Sequence, residues 1–566
     1  MSVLGALVVS ALAIALWWPH TAIYWFDSHE QLDYVSRTVE YRDALAHGEL
    51  YPRWSPNFYG GYGSPFFNFY APVVYWLGGA LALATDSPTV ALKLIVLIGS
   101  LLAGLGAFAL VHLETKRADA AFLAAGLYLA APYRLANVSW RGDLAEFFAL
   151  GVLPVALWSY RRIARADHAH QLPERALVAV IAHAVLVCSH TLTGLWGTGF
   201  IAVIAVLSIH QLAKRRSLER GFALVAAFLC ALLASAIYTL PALGEKRFVR
   251  VETMTANEVA TLNNLIAPAR LWAEGPMRIA PLLGAAFAAV LVATAVARLR
   301  KRHAPIGAVL WLLGAGALVL LTLPVAEPIW AARLIPFGDY LQFPWRLLGP
   351  ASLGAATALA LAFAACVPER SWLGVLALPL VAGALFQAQP YTSLTPMEGE
   401  RVLLSTQRIK TTWVRGTSFD EYLPREVTNA SKRIAHRITK SNEMMSVTKI
   451  VSDGTDHALA IEAKSKGTLE LKLHAFPGWR VRTLEGPSSV ALATSKDGLV
   501  QLHVPKPGKY RVHVAFGSTR LRDLAGALSL LGLAGAWPLV WLLTRRSVAK
   551  RRVAIASPIG EEHALA

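Results

Sequence analysis

The sequence predicts a polytopic α-helical membrane protein that carries one extracytoplasmic antiparallel β-sandwich. Three observations predict it. Of the 566 residues, 55% are hydrophobic and only 16% charged, with a mean hydropathy of +0.46; an ordinary soluble domain has about 25% charged residues. Apolar runs of about 20 residues, the length that crosses a bilayer, recur along most of the chain. A late, charge-rich stretch switches to period-two alternation, the pattern of half-buried strands. Soluble, disordered and fibrous classes are excluded.

The first apolar run, 3–19, has no positive start and no small-residue cleavage site, so it reads as an uncleaved span rather than a removed leader. Further spans are expected at 90–112, 119–136, 145–160, 176–192, 194–213, 221–243, 279–297, 305–325, 347–366, 371–388 and 524–544. The segment 68–85 is apolar but short, with a central glycine pair. Counting it as a span would place every later basic loop on the wrong side, so it is expected to lie in the interface. Twelve spans result, with both termini cytoplasmic.

The positive-inside bias tests this topology. The inner loops and tail then hold 20 Lys and Arg against 8 acids, and the first outer loop, 20–89, holds three basic residues and seven acids. The basic inner loops include Lys116/Arg117, Arg215/Arg216, Arg300–Arg302 and Arg370. The second outer region, 390–522, carries 21 basic and 12 acidic residues. Its alternation (Leu469, Leu471, Leu473; Val500, Leu502, Val504; Tyr510, Val512, Val514, Phe516) between Gly/Pro turns reads as an antiparallel sandwich. The chain thus divides into a membrane domain (1–389), a β-domain (390–522), and a last span with a basic cytoplasmic tail (523–566). Cys188, Cys230 and Cys366 all lie in apolar segments, so no disulfide framework is expected. The net charge of +18 is largely an orientation signal, and no nucleic-acid partner is expected.

Candidate chemistry gathers in the outer loops. Asp27, His29 and Glu30 follow the first span within about two helical turns. Acids at the mouth of a membrane helix bind a metal, act as a base or are merely hydrated, and the length of the loop weighs against the last. The run GGYGSPFFNFYAP suits a sugar or lipid groove, or an aromatic belt. NVSWRGDLAE (137–146) places Arg141, Asp143 and Glu146 at the same face. Asp143 and Glu146 share one side if a helix starts there, and Asp143 equally reads as its N-cap. His190, among Ser189, Thr191 and Thr193, sits where two spans meet; a polar group there is a functional candidate, with a satisfied buried histidine as the equal alternative. DYLQFPWR (339–346) presents Asp339, Gln342, Trp345 and Arg346 before a span. Arginine grips phosphate bidentately, and snorkelling is its bland alternative. This arrangement suits a lipid-phosphate-linked substrate: a base deprotonates an acceptor hydroxyl while cations stabilise the phosphate leaving group.

The motifs FDSHEQ (26–31), YRDALAHGELYPRW (41–54), GYGSPFFNFYAP (61–72), APYRLANVSWRGDLAE (131–146), QFPWR (342–346), DEYLP (420–424) and FPGW (476–479) run through nearly the whole chain. In this order and spacing they resemble the GT-C superfamily of membrane glycosyltransferases. The resemblance is closest to bacterial YfhO-like proteins and to the membrane proteins labelled 6-pyruvoyl-tetrahydropterin synthase-related. Composition excludes a soluble pterin enzyme.

The resemblance implies a catalytic acid just after the first span, which Asp27 matches, with Glu30 as the other candidate base. Where the superfamily often carries a DxD-like pair, this chain has Asp143 with Glu146. A divalent cation, Mg or Mn, is implied, with Asp27 and Asp143 as candidate ligands. Substrate or phosphate contacts fall to His29, Arg42, Arg141, Asp143, Glu146, His190, Gln342, Trp345 and Arg346. The implied reaction is inverting transfer from a polyprenyl-phosphate sugar to an extracytoplasmic glycan, lipid or protein, at a bacterial inner membrane whose lipids are further partners. A transporter or flippase for lipid-linked envelope glycans is the alternative; it predicts an internal repeat and charges along a pathway. A non-catalytic assembly protein, with the β-domain as interaction module, is the third reading.

Overall fold

The computed structural model describes residues 3–20, 25–214, 217–255, 260–301, 303–369, 372–396, 420–427, 439–440 and 444–556. Arg215, Arg216, Arg302 and Arg370, which enter the orientation count, lie outside them, as do much of 397–443 and the side chains of the basic tail.

Each of the twelve expected spans falls largely on helix, but not as twelve unbroken crossings. Helix α1 (Val3–Trp17) leads into a first loop that folds as α2 (Gln31–Ala46), the single turn α3 (Phe66–Phe69) and α4 (Val73–Thr85). Then come α5 (Pro88–Thr115), α6 (Ala118–Leu129), α7 (Pro132–Ser139), α8 (Leu144–Ala164), α9 (Leu172–Ser189) and α10 (Thr191–Lys214). Helices α11 (Leu218–Ala234) and α12 (Ala236–Gly244) form one unit bent by 58°. After α13 (Ala280–Leu299), α14 (Ile306–Leu320) turns by 87° into the segment ending in α15 (Glu327–Ala331). The last are α16 (Leu348–Cys366), α17 (Ala377–Thr392) and, beyond the β-domain, α18 (Arg520–Ala556). Among the described residues eight helices are long and apolar enough to cross a bilayer, or ten with each bent pair taken as one span, fewer than the twelve expected. Helices α1 and α6, with 15 and 12 residues, fall short of a hydrocarbon core about 30 Å thick. The unbroken run expected over 119–136 is split. Pro132 lacks the N–H that would continue α6, and instead opens α7 at its first turn.

Small residues set the closest helix approaches, as expected where apolar packing must come from shape. A Cβ on Gly151 of α8 would collide with the Gly99 carbonyl oxygen of α5. The glycine pair of 68–85 belongs to α4, where a Cβ on Gly79 would meet the Arg42 backbone nitrogen of α2 at 3.0 Å. That segment therefore packs on the first-loop helix.

The β-domain is a sandwich of two antiparallel four-stranded sheets, ordered β1-β4-β7-β6 and β2-β3-β8-β5. The strands are β1 (Thr439–Lys440), β2 (Met445–Asp453), β3 (Asp456–Ala463), β4 (Gly467–His474), β5 (Trp479–Glu485), β6 (Ala491–Thr494), β7 (Leu499–Val504) and β8 (Gly508–Phe516). The alternating residues read from the sequence fill the space between the sheets, with Leu469 opposite Leu502 and Leu471, Val500, Val512 and Val514 buried. Phe516 instead faces Trp54 of the first loop, ring centroids 5.0 Å apart, and Phe476 and Trp479 close around the same indole. The His474 N–H donates to the Tyr62 carbonyl at 2.8 Å. Beneath this contact a buried pair, Arg522 Nη2 to Glu245 Oε2 at 2.9 Å, joins the start of α18 to the residue after α12. Asn68 also donates to Glu245, at 2.8 Å.

Candidate active site

The sandwich and the first loop cover one end of the bundle, and at that end the chain turns from α7 into α8. Gly142 takes a left-handed φ of 70°, which a residue without Cβ adopts at no steric cost. The turn delivers Asp143 as the N-cap of α8, accepting the Glu146 N–H at 3.0 Å. Glu146 follows on the same side. Both sequence readings of Asp143 hold together: it caps the helix, and it belongs to a buried cluster.

Arg141 is the hub of that cluster. Its Nη2 lies 3.1 Å from Asp143 Oδ2, and its Nη1 reaches Glu146 Oε2 at 2.8 Å, Asn137 Oδ1 at 2.6 Å and the Tyr133 hydroxyl at 3.0 Å. Tyr133 donates to Glu146 Oε1, and Tyr34 of α2 donates to Asp143 Oδ1 at 3.0 Å. His190, extended between α9 and α10, shares a hydrogen bond with Thr193 through Nδ1; its Nε2 stands 3.5 Å from Arg346 Nη1. Arg346 also stands 3.5 Å from Glu146. Its Nε is buried without an acceptor among the described residues. Burial alone would raise the Asp143 carboxyl, but Arg141, His190, Arg346 and the Glu146 N–H outweigh it and hold that group well below the usual range. Burial lowers the His190 imidazole against the pull of Asp143 and Glu146.

The first loop borders the cluster through its backbone. The His29 and Glu30 N–H groups donate to the Trp140 and Arg141 carbonyls at 3.1 and 3.0 Å. Glu30 keeps 28% of its side-chain surface and lies 3.4 Å from Arg37. Burial, then the nearby Asp143, push its carboxyl up to about 7 against the pull of Arg37 and Arg141. Arg37 is itself caged by the rings of Tyr34, Phe66 and Tyr70 at 4.8 to 5.2 Å.

The sequence-expected residues divide accordingly. Arg141, Asp143, Glu146, His190 and Arg346 meet directly, and Trp345 lies over Arg141 at 5.1 Å. Asp27 is exposed, its N–H bonded to the Thr395 carbonyl at 2.8 Å. His29 is exposed beside Trp140. Arg42 pairs with Asp43 at 2.8 Å, Gln342 donates to the Met254 carbonyl at 2.9 Å, and Asp339 pairs with Arg333 at 3.3 Å, each apart from the hub. Sequence reasoning passed over Tyr34, Tyr133 and Asn137. The spacing Tyr133-x3-Asn137-x3-Arg141 was the available signal, since residues four apart share a helix face.

Asp143, Glu146 and His190 bring ligand atoms within 4.8 Å of one another. By donor type, two carboxylates and an imidazole suit a divalent cation. Their surroundings do not. Both Asp143 oxygens and both Glu146 oxygens already accept from arginine, tyrosine or backbone donors, and two guanidinium groups balance the two carboxylates. A cation placed there would face Arg141 and Arg346 at close range.

The family described as the 6-pyruvoyl-tetrahydropterin synthase related domain, a membrane protein, matches residues 67–363, over half of the chain. The chain belongs to that family. The region this family shares contains the Arg141 hub and Arg346, while Asp27 and Glu30 precede it. No curated protein matches the chain. Among solved structures it is similar to the apo oligosaccharyltransferase of Archaeoglobus fulgidus, with 14% identity and a TM-score of 0.43 over 70% of this chain and 56% of that one. The same organism's AglB with an inhibitory peptide and a dolichol-phosphate gives 15% and 0.42 with the same coverage. ArnT from Cupriavidus metallidurans bound to undecaprenyl phosphate gives 15% and 0.42 over 74% and 75%. The chain thus spans a little over half the length of the oligosaccharyltransferases it matches.

Proposed function

We propose that this member of the family is a membrane glycosyltransferase that moves a sugar from a polyprenyl-phosphate donor to an extracytoplasmic acceptor. One observation carries the reading. Arg346 holds an uncommitted Nε and lines a small crevice whose other walls are mostly apolar, among them Leu153, Leu192, Trp196, Phe200 and Leu347, with Thr193 the other polar residue. An always-charged fork in the wall of an apolar crevice complements a phosphate on a hydrocarbon tail. The GT-C resemblance of the motifs supports the same assignment.

In this reading Glu30, with a carboxyl near neutrality, is the base in preference to the exposed Asp27. The acceptor hydroxyl gives its proton to Glu30 as its oxygen bonds to the anomeric carbon. The carbon–phosphate oxygen bond breaks with inversion, and polyprenyl phosphate leaves with its charge taken by Arg346. Arg141 holds Asp143 and Glu146, and no metal step is invoked. The test is a deletion strain analysed for lipid-linked intermediates, alongside turnover by the purified protein. Accumulation of a polyprenyl-phosphate sugar and loss of turnover in Glu30→Gln are expected. A strain with unchanged lipid-linked sugars would sink the function, and full turnover in Glu30→Gln with loss in Asp27→Asn would move the base to Asp27.

A further inference from the structure

Beyond α7 from the acidic cluster, the end of α6, the start of α13 and the latter half of α17 enclose a second cavity, of about 70 Å³. Its wall is apolar, with Leu127, Ala130, Leu282 and Ala384, apart from Arg278 and Gln387. Arg278 has no side-chain partner among the described residues, and its Nε is buried without an acceptor. A guanidinium cannot shed its charge, and a buried donor left unmatched is costly. The loop bearing it is held in place: the Gly275 N–H donates to the Tyr391 hydroxyl at 2.7 Å, and the Ile279 N–H to the Leu271 carbonyl at 3.1 Å. Arg278 also immediately precedes the N-terminus of α13, the positive end of its dipole. The crevice is therefore complementary to an anion.

The surroundings say where that anion comes from. The two flanking helices present apolar side chains outward, with Phe287 on α13 55% exposed and Phe386 on α17 72% exposed. In a membrane protein such faces meet acyl chains, and a soluble anion gains nothing from an apolar wall. We propose that this crevice binds the phosphate of an anionic lipid headgroup, with Arg278 pairing to the phosphate, Gln387 donating to the headgroup and the acyl chains lying along α13 and α17. The site stands whether or not the neighbouring cluster transfers a sugar.

The probe is phosphatidylglycerol titrated into phosphatidylcholine nanodiscs holding the full chain, with retained lipid counted by native mass spectrometry. The wild type is expected to retain one phosphatidylglycerol in about tenfold preference over phosphatidylcholine. Arg278→Gln abolishes that preference, Arg278→Lys keeps part of it, and Ala384→Phe abolishes it by filling the cavity with the charge intact. Absence of any preference in the wild type, or its survival in both Arg278→Gln and Ala384→Phe, overturns the proposal. Displacement of the lipid by millimolar inorganic phosphate overturns it too, because the site would then be one for free anions.

Discussion

Tyr34 donates a hydrogen bond to Asp143 at 3.0 Å across 109 residues of sequence, and its own oxygen accepts the Ala145 N–H at 3.0 Å. The first loop and the start of α8 are one unit through this hydroxyl. Tyr34→Phe leaves a buried N–H unmatched and strips a donor from Asp143. The expected cost is about 1–3 kcal/mol, seen as a lower Tm of the purified protein with the fold retained. An unchanged Tm would show that the bond contributes nothing.

With Glu30 as the proposed base, stability and activity are expected to depend on pH in opposite directions. Its carboxyl is raised from 4.5 to about 7 by burial and by Asp143. A raised folded pKa gives a contribution that is complete below about 4.5 and lost as pH rises through 7, worth at most about 3 kcal/mol. In the proposed reaction Glu30 acts as a base only when ionised, so kcat/KM is expected to rise through the same window. Glu30→Gln is expected to flatten the loss of thermal stability between about pH 5 and pH 8, and any residual turnover is expected to lack the acid limb.

Much of this was legible in the sequence, for physical reasons. Apolar runs must be helical in a bilayer, because every backbone group has to be satisfied within the segment. The Leu469, Val500 and Val512 rows had to face one another because strand side chains alternate. The hidden parts are long-range pairings. Nothing local says that Arg141 reaches Glu146 while Arg42 turns to Asp43, or that Tyr34 meets Asp143. His190 was visible as the polar residue between two spans, but its approach to Arg346 depends on a loop over 150 positions away.

Chelation separates the cation expected from the resemblance from the ion-paired cluster. With both carboxylates held by Arg141 and their neighbours, turnover is expected to survive dialysis against EDTA, within about twofold given the balanced charge. Loss of turnover restored by Mn or Mg would show that Arg141 swings away to admit an ion.

Arg346 is expected to matter for chemistry rather than for folding, because its contacts to Glu146 and His190 are both as long as 3.5 Å. Arg346→Gln should lower kcat by about 10²–10³-fold, as for loss of a group that meets developing charge, with little change in Tm. Arg346→Lys should recover part of the rate, because it keeps the charge and loses the fork. Steady-state kinetics on a lipid-phosphate sugar, with Tm measured in parallel, decides between this and a structural role.

The buried pair of Glu245 and Arg522, 1% and 5% exposed in Arg522 and Glu245 respectively, links the membrane bundle to the strand-bearing region through α18. Removing Arg522 alone strands a carboxylate whose remaining donors, among the described residues, are Asn68 and Thr519. Arg522→Leu should therefore cost about 3–5 kcal/mol. The same principle predicts that Glu245→Leu combined with Arg522→Leu is less damaging than Arg522→Leu alone, since no buried charge remains. Chemical denaturation of the three variants in one detergent measures the difference. A double variant worse than the single would mean that the hydrogen bonds from Asn68 and Thr519, rather than the ion pair, hold the β-domain against α12.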